Sequence, residues 1–364
     1  MNILFVIPYP LKQAPSQRFR FEQYIDFINK NNIKTDFAPF LNSETWQIFY
    51  KPGANFQKTI GIIKGVLNRF LLLSQLHKYN LIFIHREACP IGPAFFEFIY
   101  KHIFKKKIIF DFDDAIWLHD VSEANGKLGW LKKPKKTENI IKYATLISAG
   151  NNYLANYAEN FNSNVRIIPT TIDTDYHQKK PINKSSITIG WTGTATTIKH
   201  FELAFPVLQK LKTKYGERIN IMLISNKPAQ KAPFEIEFKP WNKETEIEDL
   251  CNFDIGIMPL PDDKWAKGKC GFKGLQYMSL EIATIMSPVG VNCEIINNGI
   301  NGFLADSEEE WFEKLSLLIE SESLRQEFGK KARETILKSF SVESQKNTYL
   351  KIFEMAVKPN LSVQ

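Results

Sequence analysis

The sequence predicts two α/β domains, each built on a doubly wound parallel sheet, and three observations carry that prediction. Two short runs of β-branched and aromatic residues, 3–7 and 187–191, each lead through a loop into a helical pattern, as buried strands that open a domain do. Comparable runs recur after each of them with helical stretches between, the pattern of repeated βαβ units. The chain has 364 residues, too long for one typical domain and comfortable for two.

Taken in order, the first domain has strand-like runs at 3–7, 81–84, 107–110, 146–148 and 166–168. The polar stretch 177–186, HQKKPINKSS, contains Pro181 and reads as a linker, so a first domain spans 1–180. The second domain, 187–340, opens with the strand at 187–191 and continues through runs at 219–224, 235–239 and 254–258. Residues 308–319 and 322–340 carry apolar side chains at helical spacing. Ser341 is placed to cap a last helix over 342–356, with Tyr349, Ile352, Phe353 and Val357 on one face.

Composition removes several classes of function. Apolar residues make up 44%, which supports sizeable cores and excludes disorder as the dominant state. The four cysteines, at 89, 251, 270 and 293, form no C-x-x-C pair, so neither a disulfide framework nor a zinc site is expected, and a reducing, cytoplasmic setting fits. The opening MNILFVIPYP lacks the basic lead of a signal peptide, and no stretch of about 18 uncharged apolar residues occurs. The net charge is +8 and uneven: residues 1–184 hold 25 Lys/Arg against 15 Asp/Glu, or +10, leaving 22 against 24, or −2, for the rest. A basic first half points to an anionic partner, whether nucleic acid, an anionic membrane surface or a phosphorylated substrate. The helical stretch 60–76 carries Ile63, Val66, Leu67, Phe70, Leu71 and Leu73 with Lys64 and Arg69 among them. It fits either a core-facing helix or one resting on an anionic bilayer, with the lysines of 105–107 and 132–136 nearby.

Two loops of the second half carry anion-binding chemistry. The stretch 190–200, GWTGTATTIKH, is a strand end, a loop of small and hydroxyl residues, and a helix start near Lys199. Gly193 and Thr194 would let backbone N–H groups approach an anion, and Lys199 would add charge. An ordinary β–α turn would read the same way. The second loop, 254–279, ends a strand at Pro259 and opens a helix near Phe272, with Lys267, Lys269 and Lys273 around Gly268 and Gly271. Cations at a helix N-terminus oppose its dipole and cost stability unless an anion sits there; the alternative is a solvated basic loop.

These words together resemble the donor half of family 4 glycosyltransferases, which have the GT-B fold: IGWTG at 189–193, DIGIMP at 254–259, KCGFK at 269–273, LQYM at 275–278, SPVG at 287–290 and EIINNGINGFL at 294–304. The resemblance implies two Rossmann-like domains facing across a cleft, an acceptor domain first and a donor domain second, with 341–364 returning to pack on the first. It implies a nucleotide-sugar donor, UDP- or GDP-linked, whose diphosphate meets Lys199; Thr194 stands where the family often has an arginine, Lys273 sits where it could supply that charge, and Lys269, Gly271 and Phe272 are further donor-binding candidates. Trp241 would line the base pocket. The family usually carries two glutamates separated by seven residues; here those positions are Gly268 and Gln276. Gln276 can still hydrogen-bond ribose hydroxyls, whereas Gly268 cannot replace a carboxylate.

The first half matches less closely. PSQRFR at 15–20 opens a helix after the first strand, so the resemblance turns Arg18 and Arg20 toward the cleft; the alternative is two solvated first-turn arginines. FDFDDAIW at 110–117 ends a predicted strand, where doubly wound sheets place their sites. Three carboxylates in four residues repel one another, which raises at least one pKa and suits a general base. Asp113 and Asp114 are the expected catalytic pair, with an acidic helix cap as the alternative. Asp111 and Asp113 also form a D-x-D word that could take a metal, but the resemblance implies neither metal nor other cofactor. His85, Arg86 and Glu87 end another strand and are candidate cleft residues, and His119 is a weaker one.

The expected function is transfer of a sugar from a nucleotide-sugar to a glycan or lipid-linked acceptor in cell-surface polysaccharide assembly. The resemblance implies retention at the anomeric carbon. The enzyme would be cytoplasmic, peripheral at the inner membrane face. A non-catalytic nucleotide-sugar-binding partner and a nucleotide-sugar epimerase are the alternatives. Nucleic-acid binding explains the basic half but not the donor loops, and is not expected.

Overall fold

The computed structural model describes residues 1–49, 51, 53–118, 135–182 and 184–358. Twelve strands are β1 (Asn2–Ile7), β2 (Lys34–Pro39), β3 (Leu81–His85), β4 (Lys107–Phe112), β5 (Leu146–Ala149), β6 (Val165–Ile167), β7 (Ile187–Gly193), β8 (Ile219–Ser225), β9 (Glu237–Pro240), β10 (Ile255–Met258), β11 (Ala283–Met286) and β12 (Phe303–Leu304). They form two six-stranded sheets, ordered β2-β1-β3-β4-β5-β6 and β12-β11-β10-β7-β8-β9. Every pairing is parallel. Nine of the twelve were expected from the sequence. The edge strand β2 was not, because its residues KTDFAP are largely polar and end in proline, nor were the short β11 and β12.

By packing, the chain divides into two units: residues 1–170 joined by the chain from Gln345 onward, and 171–344. The sequence reading carried the first domain to 180 and took 177–186 for a linker. That stretch instead packs with the second unit. Lys184 pairs with Asp254 at 2.7 Å, the Lys180 N–H reaches Cys251 Sγ at 3.3 Å, and Arg333 donates to the carbonyls of His177 at 2.8 Å and Thr174 at 3.0 Å.

In the first unit, Phe5 on β1 lies against Phe21, Phe37 and Phe83, with ring centroids 4.8–5.2 Å away for the nearer three contacts. The helix Val342–Val357 closes this core: Phe353 meets Phe5 and Phe83 edge-on, and Tyr349 lies 4.4 Å from Tyr24. Its fully buried face is Tyr349, Ile352, Phe353 and Ala356; Val357, expected there, is half-buried. In the second unit the core gathers around Trp191 of β7, stacked on Phe201 at 5.5 Å. Among the described residues no helix is long and apolar enough to cross a membrane.

Candidate functional site

Doubly wound sheets bind ligands beyond the carboxyl ends of the strands where the winding reverses. In the second sheet that point lies between β7 and β10. The loops leaving these two strands are the two for which the sequence predicts anion binding.

After β7 the chain turns tightly. A Cβ on Gly193 would lie 2.2 Å from the Trp191 ring, so only glycine fits there. Thr194 and Thr197 form a reciprocal capping box around the turn Ala195–Thr197, and the helix Ile198–Glu202 follows. Lys199 is exposed on that helix and His200, beside it, is buried. After β10, Asp263 caps the helix Lys264–Lys267 by accepting from the Ala266 N–H at 2.7 Å. Gly271 has φ +69°, and a Cβ there would meet Ile295 at 2.3 Å; it starts the helix Phe272–Ser279, with Phe272 and Lys273 leading. The Lys273 ammonium lies 5.3 Å from the Trp191 ring centre and Lys269 lies 4.9 Å from that of Trp265.

The imidazole of His200 registers how these loops meet. Burial first, and then Lys273, Lys269 and Lys199, push its pKa down to about 4, with Asp263 opposing. Its Nδ1 is buried with no hydrogen-bond partner among the described residues. Three lysines from two separate sequence words therefore act on one group. His200 itself was missed, although it directly follows Lys199 in the quoted stretch.

A second polar group lies on the same unit. Gln276 is buried, and its amide donates to Glu246 Oε1 at 3.3 Å; the Trp241 Nε1–H reaches the same oxygen at 3.3 Å. Gln276 thus holds a carboxylate, while Trp241 keeps 39% of its surface open. Glu246 was missed because nothing in its acidic stretch, 246–249, signals burial. Gly268 ends the helix Lys264–Lys267, its N–H bonded to the Trp265 carbonyl at 3.0 Å.

The first unit carries its own cluster beyond β3, β4 and β5. Asp111 is fully buried and receives Arg20 through both carboxylate oxygens, His85 Nδ1 at 2.8 Å and the Ser148 hydroxyl at 2.6 Å. Burial alone would raise its pKa, but Arg20 and then His85 hold it well below the usual carboxylate range. The expected mutual repulsion is thus answered by cations. Arg86, at φ +61°, clamps the next two carboxylates, with 2.7 Å to Asp113 and 2.6 Å to Asp114. Glu87 pairs with Lys136 at 2.8 Å.

The reading of Arg20 as an early residue of a helix that begins at Pro15 is corrected. The helix Pro15–Arg18 is one turn long, so Arg18 sits in its last turn, favourably to the dipole, and packs over Phe19 at 5.0 Å. Arg20 lies beyond the helix end and is buried, its guanidinium also reaching the Ile168 carbonyl and, at 3.2 Å, Ser148. His85 is equally buried, with its Nε2 unpartnered among the described residues. His119 lies outside the described residues. Among the described residues no group of three or more His, Cys, Asp or Glu is arranged to hold a metal.

Residues 173–335 match the family model of glycosyl transferases group 1. No curated protein matches the sequence. Solved structures do. A glycosyltransferase from Rickettsia africae aligns at TM-score 0.71 and 16% identity over 98% of each chain. Anabaena HepE in complex with UDP and glucose aligns at 0.69 and 12%, over 97% of this chain and 99% of its own. Sucrose-phosphate synthase from Thermosynechococcus elongatus aligns at 0.69 and 10% over 98% of each. The chain has the GT-B fold, and its second half carries the sequence signature of glycosyl transferases group 1.

Proposed function

We propose that this chain takes a sugar from a nucleoside diphosphate sugar, with retention at the anomeric carbon, and passes it to a glycan or lipid-linked acceptor in cell-surface polysaccharide assembly. The observation that carries the reading is that the loops leaving β7 and β10 meet at the switch point of the second sheet, where Lys273, from the second loop, lies 5.3 Å from the ring centre of Trp191 on β7, with Lys199 on the first loop's helix. Such a site, with the N-terminal amides of Phe272–Ser279, would hold a diphosphate and stabilise it as it leaves. Trp241 offers an indole face to a base, anchored by Glu246, and the Glu246–Gln276 pair suits ribose hydroxyls. Asp113 or Asp114, aimed by Arg86, would orient the acceptor hydroxyl. The UDP and glucose bound by Anabaena HepE favour a uridine donor.

Gly268 favours a second reading, a non-catalytic nucleotide-sugar-binding partner, because a glutamate is expected at that position. Calorimetry with UDP and GDP tests the site, and donor consumption with and without acceptor tests the chemistry. Failure to bind either nucleotide ends both readings; binding without consumption favours the second. Asp114→Asn is expected to abolish turnover and leave nucleotide affinity unchanged, and full turnover in that variant removes the carboxylate from the mechanism.

A further inference from the structure

The helix Asn55–Leu73 is amphipathic the wrong way round for a core helix. Its buried residues are Lys58, Gly61, Gly65 and Arg69, at spacings of three and four. The two glycines let it lie directly on Thr45 and Phe40, where any Cβ would clash at 2.3 and 2.7 Å. Arg69 is buried beneath it, donating to the carbonyls of Ala88 at 2.7 Å and Ile7 at 3.1 Å. The large apolar side chains point away: Phe56 is 76% exposed, Leu71 67%, Leu67 55% and Ile63 53%, with Phe70 close behind. The face continues onto the next elements, the helix Phe95–Phe98 and the π-helical turn Ile99–Ile103. Phe70 lies 6.2 Å from Phe95, and Phe98, Ile103 and Phe104 are exposed in turn.

An unpartnered apolar face of this extent marks an interaction surface, and its charge says which kind. From residue 45 to 86 there is no Asp or Glu; of the six Lys/Arg, Lys58 and Arg69 are buried and Arg86 is held by Asp113 and Asp114, which leaves Lys51, Lys64 and Lys78. The second element adds Lys101, Lys105, Lys106 and Lys107, and the one carboxylate of residues 88–110, Glu97, is buried. Burial first, and then Lys107 and Lys105, lower the pKa of Lys101. An exposed apolar face whose own segments carry exposed lysines and no exposed carboxylate is complementary to a bilayer, with acyl chains to receive the side chains and anionic headgroups to meet the lysines. We infer that the outward face of Asn55–Leu73, together with 95–107, docks the chain on an anionic membrane surface. The inference stands apart from the transfer reading.

The full chain is mixed with vesicles of phosphatidylcholine alone, or of phosphatidylcholine and phosphatidylglycerol in equal parts, at low salt, and sedimented. It is expected to pellet with the mixed vesicles and to remain in solution with phosphatidylcholine alone. The triple variant Ile63→Asp, Leu67→Asp, Leu71→Asp leaves the buried glycine and arginine stripe intact and should lower partitioning at least about tenfold. Lys64→Glu with Lys105→Glu should lower it and flatten its salt dependence. In a Leu67→Trp variant, brominated lipids should quench emission beyond that of the parent chain, which keeps the test valid if the triple variant misfolds. Absence of pelleting with phosphatidylglycerol, triple-variant pelleting equal to the parent, or no added quenching overturns the inference. So does a dimer in light scattering that the triple variant dissolves, which would assign the face to a second copy.

Discussion

Asp111 and His200 are both buried ionisable groups near the working ends of their sheets, and their surroundings are opposite. Asp111 is answered from within its own unit by Arg20, His85 and Ser148, and the two carboxylates that follow are held by Arg86. His200 faces three lysines and one opposing carboxylate. In the first cluster opposite charges meet at hydrogen-bond distance, so they contribute to folding and geometry. In the second, like charge acts on a buried imidazole, an arrangement common where a site binds an anion.

If the first cluster is internally complete, breaking it should unfold the unit. Asp111→Ala takes the carboxylate from a buried guanidinium, that of Arg20, and is expected to cost about 3–5 kcal/mol in chemical denaturation; a cost below about 1 kcal/mol would erase the contrast. If the second awaits an anion, Lys273→Ala should leave stability nearly unchanged and weaken UDP or GDP binding about 10- to 100-fold by calorimetry. Equal affinity would mean the lysines hold nothing. The finest test is pH. With its pKa lowered to about 4, His200 is neutral in the folded chain where the unfolded chain, near 6.5, already binds a proton. The unfolded state then holds more protons in that window, so stability should fall as pH drops from about 6.5 toward 4. His200→Asn should remove that slope. Nucleotide binding should raise the imidazole midpoint, read by NMR titration, and an unmoved midpoint would separate His200 from the site.

β1 and β7, buried on both faces, were legible because continuous β-branched runs have few other uses, yet burial alone did not decide it: the exposed β6 and β9 were expected and the fully buried four-residue β11 was not. β2 escaped because an edge strand keeps polar residues, and β12 because two residues carry no pattern. At the site, Lys199, Lys269 and Lys273 were readable from glycine and lysine spacing. That the two loops meet was not, since it depends on pairing β7 beside β10, where Ile189 lies opposite Ile255. Arg20 was misread because helix length is a tertiary outcome here: the chain leaves the helix after one turn so that Arg20 can reach Asp111, ninety-one positions away.

The helix Val342–Val357 sets an order on how the molecule comes into being. Tyr349, Ile352 and Phe353 are made after all of the second unit, yet they complete the core around Phe5 and Phe83. During synthesis the second unit can therefore reach its final packing while the first, begun earlier, still exposes part of its aromatic interior. Closing that interior joins positions more than three hundred residues apart, a loop whose entropy delays the step. The first-made unit is thus the last to be finished, and for that interval it is the part of the nascent chain most prone to aggregate or to need a chaperone.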